Sequence, residues 1–230
     1  MAADFHTHIL PGIDDGSQSV AESLQMLEAL RQQGVSRIVA TPHFYASNDH
    51  PHRFLERREK ALEALTGAMP EGVPRIYPGA EVHYFEGISD CEALEEMAIG
   101  DTGLVMIEMP PAPWRSRMLQ ELQGIHQKRG LTPVIAHIDR YISPFRNCGI
   151  LRDLRQLPVL VQANAGFFLR RTTRAMALRM LAAGDIDLLG SDCHNLTTRK
   201  PNLGDALVVI RRKLGEGALE ALSEKEERFL

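Results

Sequence analysis

Leu104-Val105-Met106-Ile107-Glu108 is a run of apolar residues closed by a carboxylate, and its reading decides the fold. A short, continuous apolar run of this kind is a strand covered on both faces, as in parallel sheets. The acid that closes it would be poorly solvated there and calls for a cation. The pattern repeats outward in both directions. Strands are expected over 4–8, 37–41, 75–81, 133–137, 159–163 and 187–191, which makes seven in all. Helical periodicity fills the intervals over 20–33, 52–65, 116–128, 173–183 and 203–214, with Gly34 ending the first helix. Such alternation marks βα units around a mostly parallel sheet.

His6, His8, His43, Glu81, Glu108, His137, Asp192 and His194 fall at or just beyond the ends of these strands. In a (β/α) barrel, the carboxyl ends of different strands converge on one face, so these scattered positions become one site. An open doubly wound sheet would spread them in a row instead. The expectation is therefore an α/β barrel forming a single domain over 1–230. With 44% hydrophobic residues the chain can bury a substantial core.

The donors define the chemistry. His6-x-His8 lies on a strand, where residues two apart share a side, and Asp192-x-His194 repeats the spacing after the last strand. Imidazoles and carboxylates without a thiolate pair favour manganese, iron, zinc or magnesium, and several carboxylates imply more than one ion. Clustered ions suit phosphoryl displacement. Arg140 and Arg199 follow ligand candidates closely, where a guanidinium can bind phosphate oxygens in a fork. His83, two residues past Glu81, could approach the site but is read as a bystander, and His50, His52 and His126 as surface histidines. Phe44, Tyr45 and Trp114 follow ligand-bearing strands, where a ring can face a substrate ring or anchor its own loop.

Other signals exclude classes. A net charge of -4 gives no basic footprint for nucleic acid. No apolar run approaches the roughly 20 residues that span a bilayer, and the start MAADFHTHIL has no signal-peptide pattern. Cys91, Cys148 and Cys193 are odd in number and widely spaced, against a secreted disulfide framework. A cytoplasmic protein without stable membrane insertion is expected.

With these residues in hand, the sequence resembles the PHP (polymerase and histidinol phosphatase) superfamily. Within it, the chain looks like the bacterial metal-dependent protein tyrosine phosphatases of capsule and exopolysaccharide operons. The matching pieces are HTHILPGIDDG over 6–16, TPHF over 41–44, GAEV over 79–82 and IEMP over 107–110. AHIDRY over 136–141, NAG over 164–166, and SDCHN with TRKP through Pro201 continue the match in order. The resemblance implies a distorted (β/α)7 PHP-type barrel holding three divalent ions, manganese foremost. It assigns His6, His8, Glu81 and Asp192 to a first ion, and Glu81 as a bridge to a second completed by Glu108 and His137. Asp15, His43 and His194 would hold a third, with Asp14 beside Asp15 an open alternative. Arg140 and Arg199 match the family's phosphate-binding arginines. The implied substrate is phosphotyrosine on a membrane tyrosine autokinase that controls polysaccharide assembly, attacked by hydroxide generated at the metals. Histidinol phosphate or another small phosphomonoester is the alternative substrate within the same superfamily.

Cys193 and Arg199 also show the Cys-x5-Arg spacing of cysteine-dependent tyrosine phosphatases. No glycine lies between them, and strand alternation would turn Cys193 away from its ligand-candidate neighbours. The spacing is read as coincidence.

Overall fold

The computed structural model describes residues 2–111, 113–142 and 148–230, the side chain of Cys148 excepted. β1 (Ala2–Thr7) leads through α1 (Val20–Gln32) to β2 (Val35–Ala40) and β3 (His43–Phe44). After α2 (Pro51–Thr66) come β4 (Arg75–Pro78) and β5 (Glu81–His83). β6 (Leu104–Glu108), α3 (Ser116–Arg129), β7 (Thr132–Ile135), α4 (Cys148–Leu154) and β8 (Leu160–Asn164) continue the alternation. α5 (Ala165–Leu169) and α6 (Arg174–Ala182) precede β9 (Leu188–Gly190), which α7 (Leu203–Leu214) and α8 (Glu216–Glu227) follow. Ser19 caps α1, its side chain accepting from the Glu22 backbone N–H, and Gly34 leaves the helix at φ 82°.

Every pairing between these strands is parallel. The strand order is β1-β2-β4 in one sheet and β3-β5-β6-β7-β8-β9 in the other. The two are one curled surface. β2 runs on into β3 across Thr41-Pro42, and β4 into β5 across Gly79-Ala80. Gly79 N donates to Ala40 O (2.8 Å) and Glu81 N to Pro42 O (3.0 Å), which carries the pairing through the bends. Pro42 has no N–H to give a ladder, so β2 breaks there.

Taking each bent pair as one strand leaves seven, and the outer edges meet. Asp192 N donates to His6 O (2.8 Å) and His8 N to Cys193 O (2.9 Å), with a parallel bridge between Thr7 and Cys193. Gly190 makes this closure sterically feasible: a Cβ there would lie 2.5 Å from His6 Cβ and 2.9 Å from His6 N. The sheet therefore closes as the expected distorted (β/α)7 barrel. Ala3, Phe5, Val39, Leu104, Met106, Val134 and Leu188 fill its lumen, and Phe229 and Leu230 pack against that layer. The alternate residues, such as Ile38, Val105, Ile107 and Ile135, face the surrounding helices.

Three expectations are corrected. The strand expected over 75–81 is two strands, β4 and β5, because the chain bends at Gly79-Ala80 and changes pairing partner. His43 belongs to a short strand of its own, in register with Glu81. Helices α4, α5 and α8 were not expected. The first two are short, and α8 is rich in charge with a weak apolar stripe.

Candidate metal centre

A register shift in β1 aims the first two histidines. Asp4 pairs with Ile38 and Thr7 with Ala40, so β1 spends one residue more than β2 over this interval. Ala3 and Phe5 face the lumen before the bulge, and His6 and His8 face it afterwards. Bulges re-aim side chains in this way beside active sites. The His6 backbone N–H at the bulge is taken up by Asp4 Oδ1 (3.2 Å), which also accepts from Ser191 N (2.9 Å). The imidazole Nε2 atoms of His6 and His8 then lie 3.2 Å apart and face Glu81 Oε2 at 3.3 and 3.4 Å.

The loop after β1 separates the roles of its two aspartates. Asp14 is nearly buried and spent: Oδ2 meets His8 Nδ1 (2.8 Å) and His43 N (3.0 Å), while Oδ1 accepts from Gly16 N (2.9 Å). It fixes the His8 ring so that Nε2 points inward. Asp15 is 65% exposed, with Oδ1 3.4 Å from both His43 Nε2 and His194 Nε2. Gly16 lets the loop fold back, since a Cβ there would sit 2.2 Å from His8 O.

Glu81, His83 and Glu108 share a face because His43 is in register with Glu81 and His83 with Glu108. Fully buried His137 places Nε2 2.7 Å from Glu81 Oε1 and 3.4 Å from Glu108 Oε1. His137 (φ 33°) and Asp192 (φ 54°) are the two non-glycine residues with positive φ among those described. This conformation is costly, and it turns each side chain into the centre just past its strand end. Gln162 Oε1 accepts from His137 N (2.6 Å) and lies 3.3 Å from His6 Nδ1. Asn164 Nδ2 donates to Asp192 Oδ2 (2.9 Å).

Both arginines reach this face. Arg140 donates to Glu108 Oε1 (3.1 Å) and Asp192 Oδ2 (2.8 Å), and Arg199 to Asp192 Oδ1 (2.7 Å). Burial opposes the ionised forms of the acids, yet the surrounding His and Arg groups hold Glu81 and Asp192 well below the usual carboxylate range. Glu108 is likewise brought down to about 2, with His137 and His83 outweighing burial. Burial would lower His8 and His137, but hydrogen bonds donated to Asp14 and Glu81 take His8 up to about 10, and those donated to Glu108 and Glu81 take His137 to about 9. His194 goes the other way, to about 4, through burial and the neighbouring His8.

The residues fit divalent ions. Donor atoms of His8, Asp15, His43 and His194 gather within 4.8 Å of one another, as do those of His6, His8 and Glu81, and of His43, Glu81 and Glu108. His194 Nδ1 lies 3.0 Å from the Asp192 carbonyl, while its buried Nε2 has no hydrogen-bond partner in the structure. His43 Nδ1 is similarly buried: it approaches Glu81 Oε2 at 3.0 Å but without hydrogen-bond geometry. Unpartnered ring nitrogens aimed at deprotonated carboxylates are what metal ligation requires.

All nine ligand candidates and both arginines thus come to one rim. The grouping differs in detail from the expected one: His8 joins Asp15, His43 and His194, and His43 stands with Glu81 and Glu108. His83 does approach the centre, its Nδ1 lying 3.1 Å from Glu108 Oε2. Phe44 is core, packed on Phe54, whereas the Tyr45 ring lies beside His43 and His83 at 5.4 and 5.3 Å. Trp114 anchors its loop through Pro110 O and Tyr141. His50, His52 and His126 are exposed as expected. Cys193 is fully buried in the apolar layer, where burial pushes its thiol up. Sequence reading missed the supporting roles of Asp4, Asp14, Gln162 and Asn164. A polar residue inside a strand otherwise covered on both faces, as at Asp4 and Gln162, was the available signal.

Parallel barrels with clustered imidazoles and carboxylates at the carboxyl ends of their strands form a class of α/β proteins that mount metal ions on one rim. The chain belongs to the CpsB/CapC family of capsular polysaccharide synthesis, whose model matches residues 2–228. It is 30% identical to the tyrosine-protein phosphatase YwqE of Bacillus subtilis, over 99% of this chain and 91% of that one. A crystal structure from the work on YwqE and Streptococcus pneumoniae CpsB, described as unique metal-dependent tyrosine phosphatases, superposes with a TM-score of 0.85. It has 28% identity and covers 100% of this chain and 94% of the other. A phosphotriesterase homology protein from Escherichia coli shares the fold alone, at a TM-score of 0.54 and 12% identity over 99% and 97% of the two chains.

Proposed function

We propose that this protein is a metal-dependent protein tyrosine phosphatase acting in the cytoplasm as one domain. Its substrate in this reading is phosphotyrosine on a membrane tyrosine autokinase regulating polysaccharide synthesis. The observation that carries the reading is the convergence of nine imidazole and carboxylate ligand candidates with two guanidiniums on one rim, in a chain similar over its whole length to YwqE. His6, His8, Glu81 and Asp192 would hold one ion, and Glu81, Glu108 and His137 a second. Asp15, His43 and His194 would hold a third, with manganese first among the candidates and iron, zinc or magnesium behind it. Bound there, such ions lower the pKa of water and neutralise charge on phosphate oxygens.

The chain's own groups supply the rest. Arg140 and Arg199 approach the two oxygens of Asp192 and would instead fork onto phosphate oxygens of the substrate, offsetting charge that builds in the transition state. Asp14 and the Asp192 carbonyl orient His8 and His194. A tyrosine leaving group has a pKa of about 10 and needs little protonation, which agrees with the rim offering no dedicated acid among the described residues. Among the described residues no helix is long and apolar enough to cross a membrane.

Protein purified without chelator, stripped of metal and reconstituted, tests this reading. Hydrolysis of a phosphotyrosine peptide should vanish on stripping and return with manganese, and should exceed that of histidinol phosphate. Full activity after verified metal removal would refute the metal-dependent part. Preference for histidinol phosphate would refute the substrate.

A further inference from the structure

A cleft of ≈ 600 Å³ opens directly beside the metal centre, running from Asp15 and His43 past Tyr45 to Asp49, Arg53 and Arg57. Its far end carries charge that the chemistry above does not use. The Asp49 carboxylate ties down both arginines: Oδ1 accepts from Arg53 Nε (2.9 Å) and Oδ2 from Arg57 NH2. Arg57 NH1 also reaches the Ile13 carbonyl (3.3 Å), which links this end to the loop bearing Asp15. Two guanidiniums against one carboxylate leave the far end positive, in a chain whose net charge is -4.

The hydrogen-bond pattern gives this charge a direction. Among the described residues Arg53 is engaged through Nε alone, and its side chain is 67% exposed. A guanidinium held at Nε keeps its terminal NH2 pair for a second, two-pronged partner, the geometry that suits a carboxylate or a phosphate. Asp49 is itself held by the turn that precedes α2, its backbone N donating to Tyr45 O (3.0 Å) and its Oδ1 accepting from His50 N (2.9 Å). The arginine pair is thus oriented with respect to Tyr45, whose ring stands next to His43.

We propose that this cleft is a second anion subsite, in which Arg53, steered by Asp49 and Arg57, binds a carboxylate or phosphate carried by the substrate polypeptide beside its scissile phosphate. The subsite rests on the phosphotyrosine reading given above and defines its substrate further: a phosphotyrosine with an anionic neighbour. A small phosphomonoester without a second anionic group cannot use it, because one phosphate cannot occupy the metal centre and the arginine end of the cleft together.

The test compares kcat/KM of the manganese-loaded protein on three phosphotyrosine peptides. They differ only in the neighbouring residues, which are neutral, glutamate, or a second phosphotyrosine. Wild type should favour one or both anionic peptides by about tenfold, the size of one charge-assisted contact, and mainly through KM. Arg53→Gln should bring that ratio to about one, and Arg53→Glu should invert it in favour of the neutral peptide. The glutamate and second-phosphotyrosine arms distinguish carboxylate from phosphate as the partner. Equal rates on all three peptides in wild type, or a preference that survives Arg53→Gln, would overturn the subsite while leaving the phosphatase reading intact. Failure to hydrolyse any of the peptides would instead overturn that reading.

Discussion

Cys193 and Asp192 are neighbours with opposite fates, and the division between them sets the chemistry of the rim. The thiol is fully buried in the apolar layer and pushed up by desolvation, so a thiolate has no support there. Asp192 is turned inward by its positive φ and held ionised among His and Arg groups. Cys193→Ser should therefore keep most of the activity, whereas Asp192→Ala should lose nearly all of it together with bound metal. A folded, metal-loaded but inactive Cys193→Ser protein would contradict the metal-based route. Asp14 invites a subtler change. Because its oxygens are engaged by His8, His43 N and Gly16 N and orient the His8 ring, Asp14→Asn should weaken metal binding by roughly 10–100-fold while leaving the fold in place. Titration with manganese, followed by circular dichroism, would separate that result from unfolding.

At the scale of elements, closure between β1 and β9 controls whether a centre exists at all. The bulge in β1 aims His6 and His8, and the approach of β9 brings Asp192 opposite them. Gly190→Ala would drive a methyl into His6 Cβ, Gln162 Nε2 and the His6 backbone. Overpacking of this kind costs about 1–3 kcal/mol, occasionally more, and here it falls on a ligand candidate. A lower urea midpoint with reduced metal content is expected. Gly217→Ala is the control: its Cβ meets nothing within 4 Å, and in helix α8 alanine should be neutral or stabilising by up to about 1 kcal/mol. Equal effects of the two substitutions would show that the closure is not sterically tight.

At the scale of the whole molecule, the end opposite the metal centre is sealed by α8. Glu226 is buried there, accepts from Ala3 N (3.0 Å) and lies 3.8 Å from Arg37. Burial outweighs these partners and raises its carboxyl from 4.5 to about 7. The folded state therefore holds this proton more tightly than the unfolded chain. The stability this group contributes is present in full below pH 4.5 and is lost as pH rises through about 7. Each tenfold gain in proton affinity is worth about 1.4 kcal/mol, so the loss is on the order of 3 kcal/mol. Glu226→Gln keeps an acceptor for Ala3 N and removes the charge, so its thermal midpoint should exceed wild type at pH 8 and converge with it toward pH 5. A constant difference across that range would show that Glu226 does not titrate as described.

The sequence by itself determined the barrel and most of the rim. Apolar runs closed by His or acid, as at Leu104–Glu108, state both the buried strand and the polar end that must be satisfied, because each is a local property of the chain. The same local logic placed Arg140 and Arg199 beside the ligand candidates and turned Cys193 away. Only the tertiary structure separated Asp14 from Asp15, since adjacent carboxylates differ only in which one folds back on His8. It alone brought His83 onto Glu108, through the register of β5 on β6, and split β4 from β5. The β1 bulge, the positive φ of His137 and Asp192, and the closure at Gly190 were equally illegible. Register, strand approach and backbone strain arise from contacts between segments far apart in the chain, and no local pattern of residue types encodes them.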